Sequence, residues 1–197
     1  MLLIISGSSG VGKNTIIEEL KKRYPKFKHF ASYTTRGMRD GEVEGGNYYY
    51  VDRDEFMDRV KRGDICEYEE SHGNLYGCSL DAIRRNHSDD VVLTKDLGVE
   101  GAVSVKRLLQ GEIPVFTVFL TVDKDELRHR LEGRGEKQID LRLARYDYEQ
   151  KFTPFYDLVI NNDDMEKTIS TIVNAVDKKK EISNERKDID NFGPSLY

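Results

Sequence analysis

Gly7-Ser8-Ser9-Gly10-Val11-Gly12-Lys13, running on into Asn14-Thr15, has the spacing G-x-x-x-x-G-K. Glycines at these intervals let successive backbone N–H groups turn inward around an anion, and a helix starting at the lysine adds its positive N-terminal end. The flanks supply the context that the loop requires. Leu2 to Ile5 upstream is a continuous apolar run, the pattern of a strand buried on both faces. Downstream, Ile16, Ile17, Leu20 and Tyr24 share one helical face, Glu18, Glu19, Lys21 and Lys22 fill the other, and Pro25 ends the helix. Strand, glycine loop and helix predict a phosphate site at the end of a buried strand of a parallel sheet.

Further outward, Val91-Val92-Leu93 and Val115 to Val122 predict two more core strands. Each precedes an amphipathic helix: Ala102, Val105, Leu108 and Leu109 after the first, Leu127 and Leu131 after the second. Asp123 three residues before Glu126 predicts a capping box for the latter. A last helical face lies at Ile169, Ile172, Val173 and Val176, and 178–197 is a charged tail, expected to be a fraying helix followed by disorder. The alternation gives an α/β class with a mostly parallel sheet. The region from Ser32 to Cys78 differs in texture. Strands at Asn47 to Val51 and Asp64 to Tyr68 around a short helix at Asp54 to Lys61 predict an inserted β-rich subdomain.

The 197 residues are 38% hydrophobic and 34% charged, enough for a single core with a polar surface. Lys and Arg number 31 against 36 Asp and Glu, a net charge of -5, which excludes the global basic field of a non-specific nucleic-acid binder. Met1 to Ile5 is too short for a membrane span or signal core, so no membrane partner is expected. Only Cys66 and Cys78 could form a disulfide, and neither they nor His29, His72, His87 and His129 have metal-site spacing, which points to a reduced, cytoplasmic protein.

Asn14 stands where a P-loop normally places a Ser or Thr hydroxyl on Mg²⁺. An amide oxygen is also a hard, neutral ligand, so Asn14 is the candidate metal contact, and Mg²⁺ is expected to arrive with a nucleoside triphosphate. Thr15 points about 100° away around the helix and does not substitute for it. The run Ser32-Tyr33-Thr34-Thr35-Arg36-Gly37-Met38-Arg39-Asp40-Gly41-Glu42, continuing to Gly45, Tyr48 and Val51, sets two arginines among hydroxyls. Alone it reads either as a phosphate clamp or as a solvated basic turn.

With the phosphate loop this run resembles the guanylate kinase family. The resemblance continues through Glu67 upstream of Gly73-Asn74-Leu75-Tyr76-Gly77, then Arg130-Leu131-Glu132-Gly133-Arg134-Gly135, Arg142-Leu143, and Asn162-Asp163-Asp164, covering about residues 2 to 175. It implies a P-loop kinase three-layer fold with a core at 1–31, 79–125 and 147–177, a nucleoside-monophosphate-binding subdomain at 32–78 and a helical lid at 126–146. It further implies that Gly7 to Thr15 and Asn162 bind ATP. Ser32, Arg36, Arg39, Tyr48 and Tyr76 would hold the GMP phosphate. Glu67 would accept from guanine N1–H and its 2-amino group, a donor pair that adenine lacks. Asp96 would stand beside metal and acceptor, and Lys13, Arg36, Arg130, Arg134 and Arg142 would neutralise charge during phosphoryl transfer. Arg128 and Arg145 read as solvated helix residues.

Three departures from the family pattern stand out. Gly135 to Arg142 is shorter by about three residues, close to one helical turn. Cys78 replaces a Thr or Ser that helps read guanine, and Gly98 replaces a second aspartate. The expected activity is ATP-dependent phosphorylation of GMP and dGMP by a monomer or homodimer. The alternatives are a P-loop kinase with another acceptor nucleotide and a weakly catalytic nucleotide- or protein-binding module.

Overall fold

A computed structural model describes residues 1–71 and 73–191 of the chain. Its core is a five-stranded, wholly parallel sheet of β1 (Leu2–Ser6), β2 (Phe27–His29), β7 (Val92–Asp96), β8 (Val115–Thr121) and β9 (Leu158–Asn161), in the order β2-β7-β1-β8-β9. β1 is central, with Leu2 paired to Leu93 on one side and to Val115 on the other. Its side chains alternate between two layers. Leu3 and Ile5 pack with Leu20 of α1 (Lys13–Arg23), with Leu127 of α5 (Lys124–Gly133) and with Ile172 of α7 (Met165–Asn191). Leu2 and Ile4 pack with Ile83 of α3 (Leu80–Asn86) and with Ala102 and Val105 of α4 (Val99–Leu108). Each fully buried Leu or Ile contributes about 1.5–3 kcal/mol, and β1 supplies four.

Residues between β2 and α3 form a second sheet: β3 (Ser32–Thr34), β4 (Tyr48–Tyr50), β5 (Ile65–Ser71) and β6 (Asn74–Ser79), ordered β4-β3-β6-β5. β3 and β4 are parallel, and the other neighbours are antiparallel. α2 (Arg53–Lys61) covers it through Phe56, which meets Ile65, Leu75 and Tyr33. Asp52 caps α2 by accepting from the Glu55 amide at 2.8 Å, and Ser79 caps α3 through the Ala82 amide at 3.2 Å.

Several sequence expectations change. Asp123 is the residue before α5, but its side chain makes no cap bond, so the capping box does not form. Leu108 is 47% exposed, because the face of α4 that meets the sheet narrows to Ala102, Val105 and Leu109 at its end. β2, β3, β6, β9, α3 and the 3₁₀ segment Gln150–Phe155 were not anticipated, whereas α6 (Ile139–Glu149) falls in the expected helical lid and runs past its expected end at 146. α7 continues unbroken to Asn191, so 178–191 extends the helix; the disorder expected further on falls at 192–197, outside the described residues. Among the described residues no helix is long and apolar enough to cross a membrane, and both cysteines are free thiols.

Candidate active site

The phosphate loop leaves the carboxyl end of central β1, with β7 and β2 laid to one side of it and β8 and β9 to the other, the position where α/β folds bind ligands. Gly7, Gly10 and Gly12 have φ of 138°, 101° and 98°, a region L-residues avoid. Space also requires two of them. A Cβ on Gly7 would come within 2.1 Å of the Leu120 carbonyl oxygen, and one on Gly12 within 2.7 Å of Asn162 Nδ2. Asn162 Nδ2 instead donates to the Val11 carbonyl at 2.7 Å, tying β9 to the loop. Lys13 folds back over the loop, its Nζ donating to the carbonyls of Gly7 at 2.6 Å and Ser8 at 3.2 Å. Burial lowers its pKa, while Asp96 and Glu149 pull it up.

Above the loop opens a polar cavity of about 590 Å³. Lys13, Asn14, Thr15, Arg134, Arg142 and Arg145 line it together with Gly7, Ser9, Gly10 and Gly12. Every arginine here has an acidic partner. Arg134 and Arg142 both reach Glu136 Oε2 at 3.3 Å, and Arg145 Nε donates to Glu149 Oε1 at 3.0 Å. Arg134 also donates to Ser9 Oγ at 3.0 Å, so α5 and the loop are joined directly. Arg142 Nε is buried without a partner. The Gln138 amide, with Arg142 and Arg134, lowers the pKa of Glu136. Arg130 is turned away, between Glu126 at 2.7 Å and the Asn162 carbonyl at 3.0 Å. Ser8, Val11, Arg130 and Asn162 therefore stay off this cavity wall and support it from behind, whereas Arg145, read from sequence as solvated, lies on it. Arg128 faces Asp140 at 3.6 Å.

A smaller cavity of about 80 Å³ sits between the two sheets. Ser32, Tyr48, Glu67, Tyr76, Cys78 and Asp96 all line it, bringing together six of the residues that the sequence nominated. Glu67 fits because Gly101 of α4 has no side chain; a Cβ there would lie 2.4 Å from Glu67 Oε1. Burial, then Glu100 and Glu69, raise the Glu67 pKa. Arg36 and Arg39 are outside this wall. Arg36 makes a two-point pair with Glu42 at 2.9 and 2.8 Å, and its guanidinium packs 5.4 and 5.6 Å from the Tyr48 and Tyr50 ring centres. The same Glu42 accepts from the Arg39 amide at 2.7 Å, and these contacts, Arg36 first, depress its pKa to about 2. Glu69, Asp96, Leu97 and Gly98 line both cavities.

Sequence reasoning missed Glu136 and Glu149, the acids that hold the arginines, and Lys95, buried in the smaller cavity. Arg145 and Glu149 carry a signal in their four-residue helical spacing. Lys95 carries one in its register, two residues past Leu93 and so on the same core-facing side of β7.

Comparison with known proteins gives the family. The guanylate kinase family model matches residues 1–179. The chain is 35% identical over 179 residues to a guanylate kinase of Geobacter metallireducens, covering 89% of this chain and 87% of that one. It is 36% identical over 189 residues to a guanylate kinase of Lactobacillus johnsonii, covering 92% and 87%. The crystal structure of guanylate kinase from Anaplasma phagocytophilum superposes with a TM-score of 0.69 at 29% identity, covering 91% of this chain and 86% of that one. The family model spans nearly the whole chain, and these relatives are matched over most of their own length, so the chain belongs to the guanylate kinase family.

Proposed function

We propose that this chain transfers the γ-phosphoryl group of ATP to GMP or dGMP, yielding ADP and GDP or dGDP. One observation carries the proposal: the phosphate-loop cavity and the Glu67 cavity share the wall Glu69, Asp96, Leu97 and Gly98, so phosphates entering from each side meet there. An oxygen of the acceptor phosphate attacks the γ-phosphorus in line as the bond to the β–γ bridging oxygen breaks, and ADP leaves. The attacking oxygen is already ionised at neutral pH, so no general base is required. The work left to the protein is positioning and charge neutralisation. Backbone N–H groups of the glycine loop and Lys13 would receive the donor phosphates, while Arg134, Arg142 and Arg145, which line the same cavity, would neutralise charge on the transferred group. Of the residues that the resemblance gives to the acceptor phosphate, Arg36, Arg39, Tyr48 and Tyr76 are proposed to hold it, which requires Arg36 to exchange Glu42 for it, while Ser32, 3% exposed, is instead left to the base. Arg130 and Asn162 are proposed to act through the loop that they brace.

Mg²⁺ suits the donors present. The Asn14 amide and the Asp96 carboxylate line the larger cavity and are hard oxygen donors of the kind Mg²⁺ takes. When bound, Mg²⁺ neutralises charge on the β- and γ-phosphates. A cytoplasmic location and a monomer or homodimer follow as part of the same proposal.

The test is ADP release from ATP·Mg²⁺ with GMP, dGMP, AMP, UMP or CMP as acceptor. Turnover with GMP and dGMP at least tenfold above the others is expected. Turnover with another base would move the acceptor assignment, and binding without turnover would leave only a binding module.

A further inference from the structure

The smaller cavity contains a cation that the proposed reaction has not used. Lys95 is 6% exposed, and its Nζ sits 5.6 Å from the Phe30 ring centre and 5.9 Å from that of Tyr48. Among the described residues no carboxylate or carbonyl accepts a hydrogen bond from it at bonding distance. An ammonium is rarely buried without an acceptor, since desolvation works against the charge, and here burial does lower the pKa. Ser32, 3% exposed, repeats the pattern, because its Oγ is buried with no partner and faces the same cavity. Ser32 Oγ, buried without a partner, and the Lys95 ammonium, set against two rings with Asp96 and Cys78 as its electrostatic neighbours, are donors placed to meet a ligand acceptor in one small cavity.

The position of these donors selects the part of the ligand they meet. The acceptor phosphate must lie at the wall shared with the larger cavity, near Asp96 and Gly98, because the donor phosphates arrive there. Lys95, Ser32, Glu67 and Cys78 line only the smaller cavity, as Tyr48 and Tyr76 do, but Glu67 and Cys78 are partners across β5 and β6, and Lys95 lies within electrostatic reach of Cys78. That end takes the base. Guanine presents two donors, N1–H and the 2-amino group, and two acceptors, O6 and N7. The Glu67 carboxylate matches the donors. The acceptors need N–H or O–H groups, which Cys78 supplies poorly: a thiol is a weak donor, and Cys78 is 2% exposed and engaged with Cys66, which with burial raises its pKa well above the usual thiol range.

We propose that Lys95 is a specificity-determining residue of the acceptor site, donating from its ammonium to the O6/N7 edge of a 6-oxopurine, with Ser32 Oγ as the accompanying donor. The inference rests on the GMP reading of the site. A 6-aminopurine would turn its own amino group toward the ammonium, donor against donor, while Glu67 would face its unprotonated N1. The cavity thus rejects adenine at both ends of the pairing edge.

The experiment compares dissociation constants and kcat/KM for GMP, IMP and AMP in wild-type protein, Lys95→Met and Lys95→Gln, with ATP affinity measured alongside. IMP keeps O6 and N7 and lacks the 2-amino group, so it isolates the edge assigned to Lys95. In Lys95→Met, affinity for GMP and IMP should both fall about ten- to a hundredfold, AMP should change little, and ATP affinity should stay within about twofold. Lys95→Gln, which retains an N–H donor, should fall between. An equal loss for all three nucleotides would assign Lys95 to the phosphate or to general structure and overturn the proposal, as would an unchanged GMP-to-AMP ratio in a folded variant. Should Lys95→Met fail to fold, Lys95→Gln decides by the same ratio. Absence of any guanine preference in the wild type would reject the GMP reading itself, whereas preference that persists without Lys95 rejects this inference alone.

Discussion

Ser8 Oγ donates a 2.5 Å hydrogen bond to Glu149 Oε2, joining the phosphate loop to the last residue of α6 across 141 positions of sequence. The other carboxylate oxygen of Glu149 takes Arg145 Nε, so this buried acid fixes both the floor of the larger cavity and one arginine above it. Removing the carboxylate leaves a buried hydroxyl unsatisfied. Glu149→Ala is expected to lower stability by about 1.5–3 kcal/mol in urea denaturation and to raise the KM for ATP. Glu149→Gln keeps an acceptor and should recover most of the stability. Wild-type stability in Glu149→Ala would show that the contact carries no weight.

Lys13 presents the opposite balance between stability and activity. Its ammonium is held by two loop carbonyls at the expense of burial. Lys13→Met should therefore fold with unchanged or greater stability while kcat falls about 10²–10³-fold, the range for loss of one preorganised charge. Calorimetric unfolding and single-turnover kinetics on the same preparation separate the two effects.

Gly101 is expected to act on the acceptor alone. Alanine at this helical position would favour α4 by propensity, by up to about 1 kcal/mol. Its Cβ, however, would come within 2.5 Å of Glu67 Cγ and Cδ and displace the carboxylate. The expected outcome of Gly101→Ala is a KM for GMP raised at least about tenfold with that for ATP unchanged. A normal GMP KM would mean that Glu67 does not contact the base.

His29 sets a pH dependence of stability. Burial, then the charges of Lys95 and Lys21, depress its pKa to about 4 from 6.5. The unfolded chain therefore binds this proton first as pH falls, and the contribution of His29 to stability is lost progressively between pH 6.5 and about 4. His29→Gln, which does not titrate, should flatten that part of the stability profile in urea titrations at pH 7, 6 and 5. Glu42, whose pKa is depressed to about 2, acts lower down, with its stabilisation present above its ordinary value of 4.5 and lost as pH falls toward 2.

The sequence exposed the parts of the fold where one physical requirement dominates. Left-handed φ at Gly10 and Gly12 demands glycine, and a strand buried on both faces demands an unbroken apolar run, so the loop and β1 were readable. β2 is three residues with Lys28 exposed, and β9 buries only Ile160, so neither edge strand has a pattern to find. α6 buries only Leu143 and Glu149, and an acid does not register as part of an apolar stripe. Asp123 satisfied the spacing of a cap while its side chain formed no bond, since spacing does not fix a side-chain rotamer. At the site, the groups nominated around Glu67 converge, because the motif supplies the wall itself. Of their supporting acids, Glu149 has a signal in its helical spacing from Arg145, while Glu42 and Glu136 lie in loops, where spacing does not fix which arginine they meet.

Those acids give the resting site an unusual response to anions. Arg36, Arg134, Arg142 and Arg145 each already hold a carboxylate, and Lys13 holds carbonyls. A small monovalent ion can replace at most one such partner and gains little by the exchange. A nucleotide carrying several phosphates can replace several together, each displacement making the next easier because Arg134 and Arg142 share the single acid Glu136. Occupancy should therefore rise with the number of charges on the ligand far more steeply than with total anion concentration, which favours a polyphosphate over a monovalent ion such as chloride.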